Sequence, residues 1–105
     1  MKNLVLGHTY ELDNFENTNE KGQTLQFIHK EPKGDGDVQT LVTVADGTTN
    51  EDVLAVLIDR MNFLNGKFPC RENSIVITHL ETALLWLEKR TNDRKKRQVE
   101  GKNIA

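Results

Sequence analysis

The stretch TTNEDVLAVLIDRMNFLNGKFPC, residues 48–70, decides the fold of this chain. It opens on Thr48 and Thr49, either of which suits a helix N-cap, and Glu51 and Asp52 follow in the first turn, where acids favour the helix dipole. Val53, Leu54, Leu57, Ile58, Met61 and Leu64 then recur at helical spacing. Asn65-Gly66 is read as the stop, because glycine takes a left-handed C′ conformation without strain. Pro69 suits the first turn of a following helix. That second helix is expected over about Cys70–Arg97, with Ile77, Leu80, Leu84 and Leu87 as its apolar stripe. So short a link makes the two helices an antiparallel hairpin.

Upstream, residues 1–47 read as β. Tyr10–Phe15 alternates in part, Asn17–Gly22 is turn chemistry, and the runs Thr24–Lys30 and Val38–Val44 are rich in β-branched and aromatic residues. Pro32–Asp37 separates these two runs as a hairpin loop. About three antiparallel strands are expected, a sheet small enough to need a partner. The fold class is therefore α+β: a small N-terminal antiparallel sheet (1–47), then a long two-helix hairpin (48–97), then a flexible basic tail (98–105).

The chain has 105 residues, 36% of them hydrophobic and 29% charged. This composition permits only a thin core, which makes burial between chains a real option. The net charge is −2, so no global basic field attracts nucleic acid. The distribution is uneven: residues 1–47 carry 4 Lys and no Arg against 8 acids, whereas residues 89–105 carry 7 basic against 2 acidic side chains. Cys70 is the one cysteine, which excludes an internal disulfide and a Cys-rich metal site. No stretch has the length of a membrane span, and no secretory leader is recognisable. The expectation is a soluble protein of a reducing compartment, with no membrane partner.

No catalytic constellation stands out. His8, His29 and His79 are far apart in sequence, and Cys70 and Ser74 have no base beside them along the chain. His79 flanks the second helix stripe, a place for a surface or interface residue. Gly34-Asp35-Gly36-Asp37 is too short for a calcium loop and lacks its distal Glu; a turn is the better reading. No phosphate-binding glycine motif occurs. No catalytic residue, metal ligand or cofactor is assigned.

Binding residues are easier to see. Phe63 falls off the main stripe of the first helix, in a side strip with Val56 and Arg60. Such a ring either packs against a neighbour or offers a stacking face for a purine beside a cation. Arg90 and Arg94 lie one turn apart, and read either as a solvated helix end compensating the dipole or as a grip on a diphosphate. Lys95-Lys96-Arg97 reads as a solvated basic run. Asn73 sits in the first turn of the second helix, where free backbone N–H groups favour polar or anionic neighbours. Asn73 and Arg90 are 17 positions apart on that helix, or about 25 Å at 1.5 Å per residue. One small nucleotide does not bridge that span. A second chain packed antiparallel would bring its Arg90 and Arg94 to Phe63 and Asn73 of the first, giving an isologous dimer with two composite pockets.

Asp46–Glu51, Leu57–Arg60, Phe63–Ser74, Ile77–Glu81 and Trp86–Arg94 together resemble the helical hairpin of phage anti-defence sponges. That hairpin is shared by the Thoeris anti-defence family and the smaller anti-CBASS sponges, and the resemblance covers about residues 46–102. An added N-terminal β segment resembles the Thoeris branch. The resemblance implies a non-enzymatic phage protein, working in the cytoplasm of an infected bacterium. It would bind cyclic ADP-ribose isomers made by TIR-domain proteins and withdraw them from the effector they activate. It also implies that an aromatic stacks on the adenine, an Asn makes a polar contact and two Arg hold the phosphates. The matching positions are Phe63, Asn73, Arg90 and Arg94. Dimers that assemble into hexamers, and cyclic di- or trinucleotides as further ligands, are implied as well. Arg60 and Lys67 are candidates on charge alone. The competing readings are a sponge for CBASS cyclic oligonucleotides, a signal-degrading enzyme, and a nucleic-acid-binding hairpin using residues 89–102. A nucleic acid polymer is not the expected partner.

Overall fold

A computed structural model describes residues 1–34 and 40–101, with the backbone alone for 98–101. The chain divides between Thr49 and Asn50 into an N-terminal β unit and a C-terminal helical unit. The loop read as a turn at Gly34–Asp37 lies beyond Gly34 outside the described residues, as do Val38 and residues 102–105.

The β unit has five strands rather than about three. β1 (Lys2–Val5), β2 (Thr9–Glu11) and β3 (Thr24–Gln26) form one antiparallel sheet in that order, and β4 (His29–Lys33) pairs antiparallel with β5 (Thr40–Ala45). β1 escaped the sequence reading, and the strand placed at Tyr10–Phe15 ends at Glu11. A left-handed Gly7, φ 79°, turns the chain between β1 and β2. The run Thr24–Lys30 is not one strand. Thr48 N–H donates to the Gln26 carbonyl and Ile28 N–H donates to the Thr48 carbonyl, both at 2.9 Å, so a distant segment captures Phe27 and Ile28 and breaks the run. Gly47 permits this approach, since a Cβ there would overlap the Gln26 carbonyl oxygen. Pro32, assigned to the loop, instead pairs with Leu41 within the two-stranded ribbon, where its missing N–H is tolerated on an edge.

Aromatic and imidazole rings fill the β unit. His8 and His29 stack with centroids 3.6 Å apart, and Tyr10 meets Phe27 edge-on at 5.8 Å. His29 is buried, and its Nε2 lies 3.0 Å from Glu31 Oε1. Histidines far apart in sequence therefore do form a pair. Among the described residues, however, no group of three His, Cys, Asp or Glu side chains is placed to hold a metal.

The helical unit is an antiparallel pair, α1 (Asn50–Lys67) and α2 (Arg71–Gly101). Thr49 takes the position before α1, while Thr48 is spent on the β bridge. Gly66 does not cap α1 in a left-handed conformation. It lies inside the last helical turn, which runs on to Lys67. The turn is made instead by Asn65, whose Oδ1 accepts the Cys70 N–H at 3.1 Å and whose Nδ2 donates to Ser74 Oγ at 3.3 Å. Pro69 precedes α2 rather than starting it, and Cys70 is its cap, with Sγ accepting the Asn73 N–H at 3.4 Å. The backbone stays helical past Arg97 to Gly101.

Within this unit Val53, Leu54, Ile58, Met61 and Leu64 of α1 and Asn73, Ile77, Leu80, Leu84, Leu87 and Thr91 of α2 are the shielded positions. Leu57, placed on the stripe, is 43% exposed. Ile77 is the one apolar residue buried outright among those described. No helix among the described residues is long and apolar enough to cross a membrane.

Candidate functional site

The candidate site starts from the side strip of α1. Val56, Arg60, Phe63 and Lys67 succeed one another at spacings of four, three and four, so they share one face. All four are exposed. Phe63 is 56% exposed, which shows that its ring is not spent on the hairpin core. The Lys67 ammonium sits over that ring, 4.7 Å from its centroid, within cation–π range. One face of the aromatic thus carries a cation and the other is open to a planar ligand.

Asn73 stands in the first turn of α2, near the same end of the hairpin. It is half-buried, and its N–H is engaged by Cys70 Sγ. Its neighbour Cys70 is an exposed free thiol. The hairpin tip therefore gathers Phe63, Lys67 and Asn73, with Arg60 one turn back along α1.

Arg90 and Arg94 project from α2 one turn apart, and both are exposed. Arg90 lines an open concavity of about 510 Å³ with Trp86, Lys89, Asp93, Lys96 and Arg97. Lys89 donates to Asp93 Oδ2 at 2.8 Å. That hydrogen bond, with the nearby charge of Lys89, Arg97 and Lys96, holds the Asp93 carboxyl below the usual aspartate range. The only acid lining this concavity is thereby occupied by Lys89, which leaves the guanidinium groups to attract anions.

α2 is a single uninterrupted helix from Arg71 to Gly101. The 17 positions from Asn73 to Arg90 therefore amount to about 25 Å along its axis. Within one chain the aromatic and Asn end is separated from the arginine end. The structure groups the six candidates into two clusters, Arg60, Phe63, Lys67 and Asn73 in one, Arg90 and Arg94 in the other. Two features were missed in the sequence: Asn65, which ties the tip together, and Trp86, an indole 66% exposed one turn before Arg90. Trp86 could have been found by the wheel, since it lies far from the stripe of Leu80, Leu84 and Leu87.

Comparison with known proteins bears on this geometry. Thoeris anti-defense 1 of Bacillus phage SBSphiJ7 is 53% identical over 58 residues, which cover 54% of this chain and 41% of that relative. The chain thus matches about two-fifths of the relative's length. The sequence model of the Acb2/Tad1 hairpin domain matches residues 26–92, from the end of β3 through the β4–β5 ribbon and both helices to the turn that holds Arg90. That match takes in well over half of the sequence, and the chain belongs to the Acb2/Tad1 hairpin domain family.

Proposed function

We propose that this chain is an anti-defence protein of a phage that binds TIR-generated cyclic ADP-ribose isomers and sequesters them intact, so that the Thoeris effector is not activated. The observation that carries this reading is the exposed Phe63 ring with Lys67 over it, at the tip of a hairpin whose second helix also presents Asn73, Arg90 and Arg94. The relationship to a protein named Thoeris anti-defense 1 supports the biological setting.

The chemistry follows from the side chains. An adenine stacks on the open face of Phe63. Asn73 supplies a polar contact to the base or ribose. Arg90 and Arg94 meet the two phosphates with charge-assisted, fork-shaped donors. Arg60 and Lys67 add positive charge beside the ring. The separation of the two clusters requires that each pocket be shared: Phe63 and Asn73 come from one chain, Arg90 and Arg94 from its antiparallel partner. Such dimers then assemble into a hexamer. Residues 48–97 carry binding and assembly, residues 1–47 form the accompanying β domain, and residues 98–105 a basic tail. The site of action is the cytoplasm of the infected bacterium.

A sponge needs affinity and no turnover. Stoichiometric capture succeeds when the dissociation constant lies below the signal concentration, and each tenfold gain requires about 1.4 kcal/mol. A groove formed before the ligand arrives limits the ordering cost. Cyclic di- and trinucleotides offer the same bases and phosphates, and are the second ligand class for this surface. The test is calorimetric titration of the TIR product into the wild-type chain and into the double variant Arg90→Ala, Arg94→Ala. The expected result is saturable binding to the first and none to the second, with helicity unchanged. Equal affinity in the two proteins would remove the site assignment.

A further inference from the structure

α2 presents a second face besides the one packed on α1. Glu72, Val76, His79, Ala83, Trp86 and Arg90 recur at spacings of four, three, four, three and four, the spacing of a coiled-coil seam. The shielded residues Asn73, Ile77, Leu80, Leu84 and Leu87 lie on a different face. All six seam residues are exposed, including Val76 at 41% and Trp86 at 66%. An indole left in water beside an aliphatic residue and a small residue, with charge at either end, describes an interface lacking its other half.

We propose that this seam receives the same seam of a second copy, antiparallel, with the two-fold axis level with Glu81. In that register Glu72 faces the partner's Arg90, Val76 faces the partner's Trp86, and His79 faces the partner's Ala83. Each pair is equidistant from position 81. The ends carry opposite charges, the indole meets an aliphatic side chain, and the imidazole enters the space left by a methyl group. A parallel arrangement would set Glu72 on Glu72 and Arg90 on Arg90, like charges in both layers, which the antiparallel one avoids. The occupant is therefore a second copy of this chain.

The inference rests on the shared-pocket reading above and extends it by naming the surface and the register. The partner's Arg90 comes level with Glu72, next to Asn73. The partner's Arg94 comes level with position 68, at the hairpin tip beside Lys67 and within a turn or so of Phe63. Groups about 25 Å apart in one chain become neighbours across the seam.

Two measurements, both without nucleotide, test this. In light scattering the wild-type chain should show at least twice its 12.0 kDa mass, and Ala83→Arg, which places a long cation in the central layer while keeping a good helix former, should show the monomer mass with helicity retained. For cross-linking, Cys70→Ser is combined with either Val76→Cys or Trp86→Cys. A disulfide-linked dimer should form under mild oxidation when the two variants are mixed, and neither should link to itself. A monomeric wild type, an Ala83→Arg variant that keeps the oligomer mass, or failure of the mixed pair to link would each overturn the proposal. A seam that passes both tests in a protein that ignores cyclic ADP-ribose isomers would refute the ligand and leave the interface standing.

Discussion

Replacing Phe63 separates what the ring does for the fold from what it does for a ligand. The side chain is more than half exposed, and its one recorded ring partner is the Lys67 ammonium at 4.7 Å. An exposed cation–π contact is worth about 0.5–1 kcal/mol. Phe63→Ala should therefore lower the melting temperature by a few degrees at most. Base–aromatic stacking contributes about 1–3 kcal/mol. Its loss should weaken binding of the cyclic ADP-ribose isomer by about 5- to 140-fold at 1.4 kcal/mol per decade. Phe63→Leu sharpens the test, because leucine keeps apolar area and removes the π face. If stacking is the interaction, Leu behaves like Ala, and Tyr or Trp restores affinity. The assay is calorimetric titration at fixed salt, with helicity checked for each variant. Unchanged affinity in Phe63→Ala, or wild-type affinity in Phe63→Leu, would refute the stacking argument.

Further expectations attach to the hairpin and its charges. Gly66→Ala should raise stability by about 0.5–1 kcal/mol, because Gly66 is helical and a methyl group there meets nothing within 4 Å; a left-handed cap would give the opposite sign in thermal denaturation. Asn65→Ala removes the acceptor for the Cys70 N–H and the donor to Ser74. It should cost about 1–2 kcal/mol in a denaturant titration, and a neutral result would show that the tip closes without it. Asp93 is held below the usual aspartate range, first by the Lys89 hydrogen bond. Its contribution to stability is then present above the ordinary carboxylate pKa and lost as pH falls through the lowered folded value. An NMR titration of its carboxyl should show the lowered midpoint, and Lys89→Ala should return it toward normal.

The two helices were legible because their apolar positions keep a 3.6-residue period over many turns. Their junction was not. Asn65-Gly66 looks the same in sequence whether the glycine caps the helix or belongs to it, and the difference lies in where the Asn65 side chain points. The β unit was legible in composition but not in register. The break at Phe27 is caused by pairing with Thr48, and the stack of His8 on His29 brings together rings from β elements with no sequence signal linking them. In the candidate site, Phe63 stood out by its wheel position and Arg90 with Arg94 by their spacing. Lys67 carried a signal only as charge, and its seat over the Phe63 ring follows from the four-residue offset on α1. Trp86 was absorbed into the apolar run Ala83–Leu87, where hydrophobicity hides which face each residue occupies.

The most direct measurement of the central claim follows the ligand itself. Signal made by an active TIR enzyme is mixed with the chain and filtered, and the filtrate is chromatographed; the retained protein is then heated and the released material chromatographed again. The account predicts that the signal vanishes from the filtrate and returns chemically unchanged on heating. Signal that returns altered would make the chain an enzyme, and signal that never leaves the filtrate would show that it binds something else; either result contradicts sequestration.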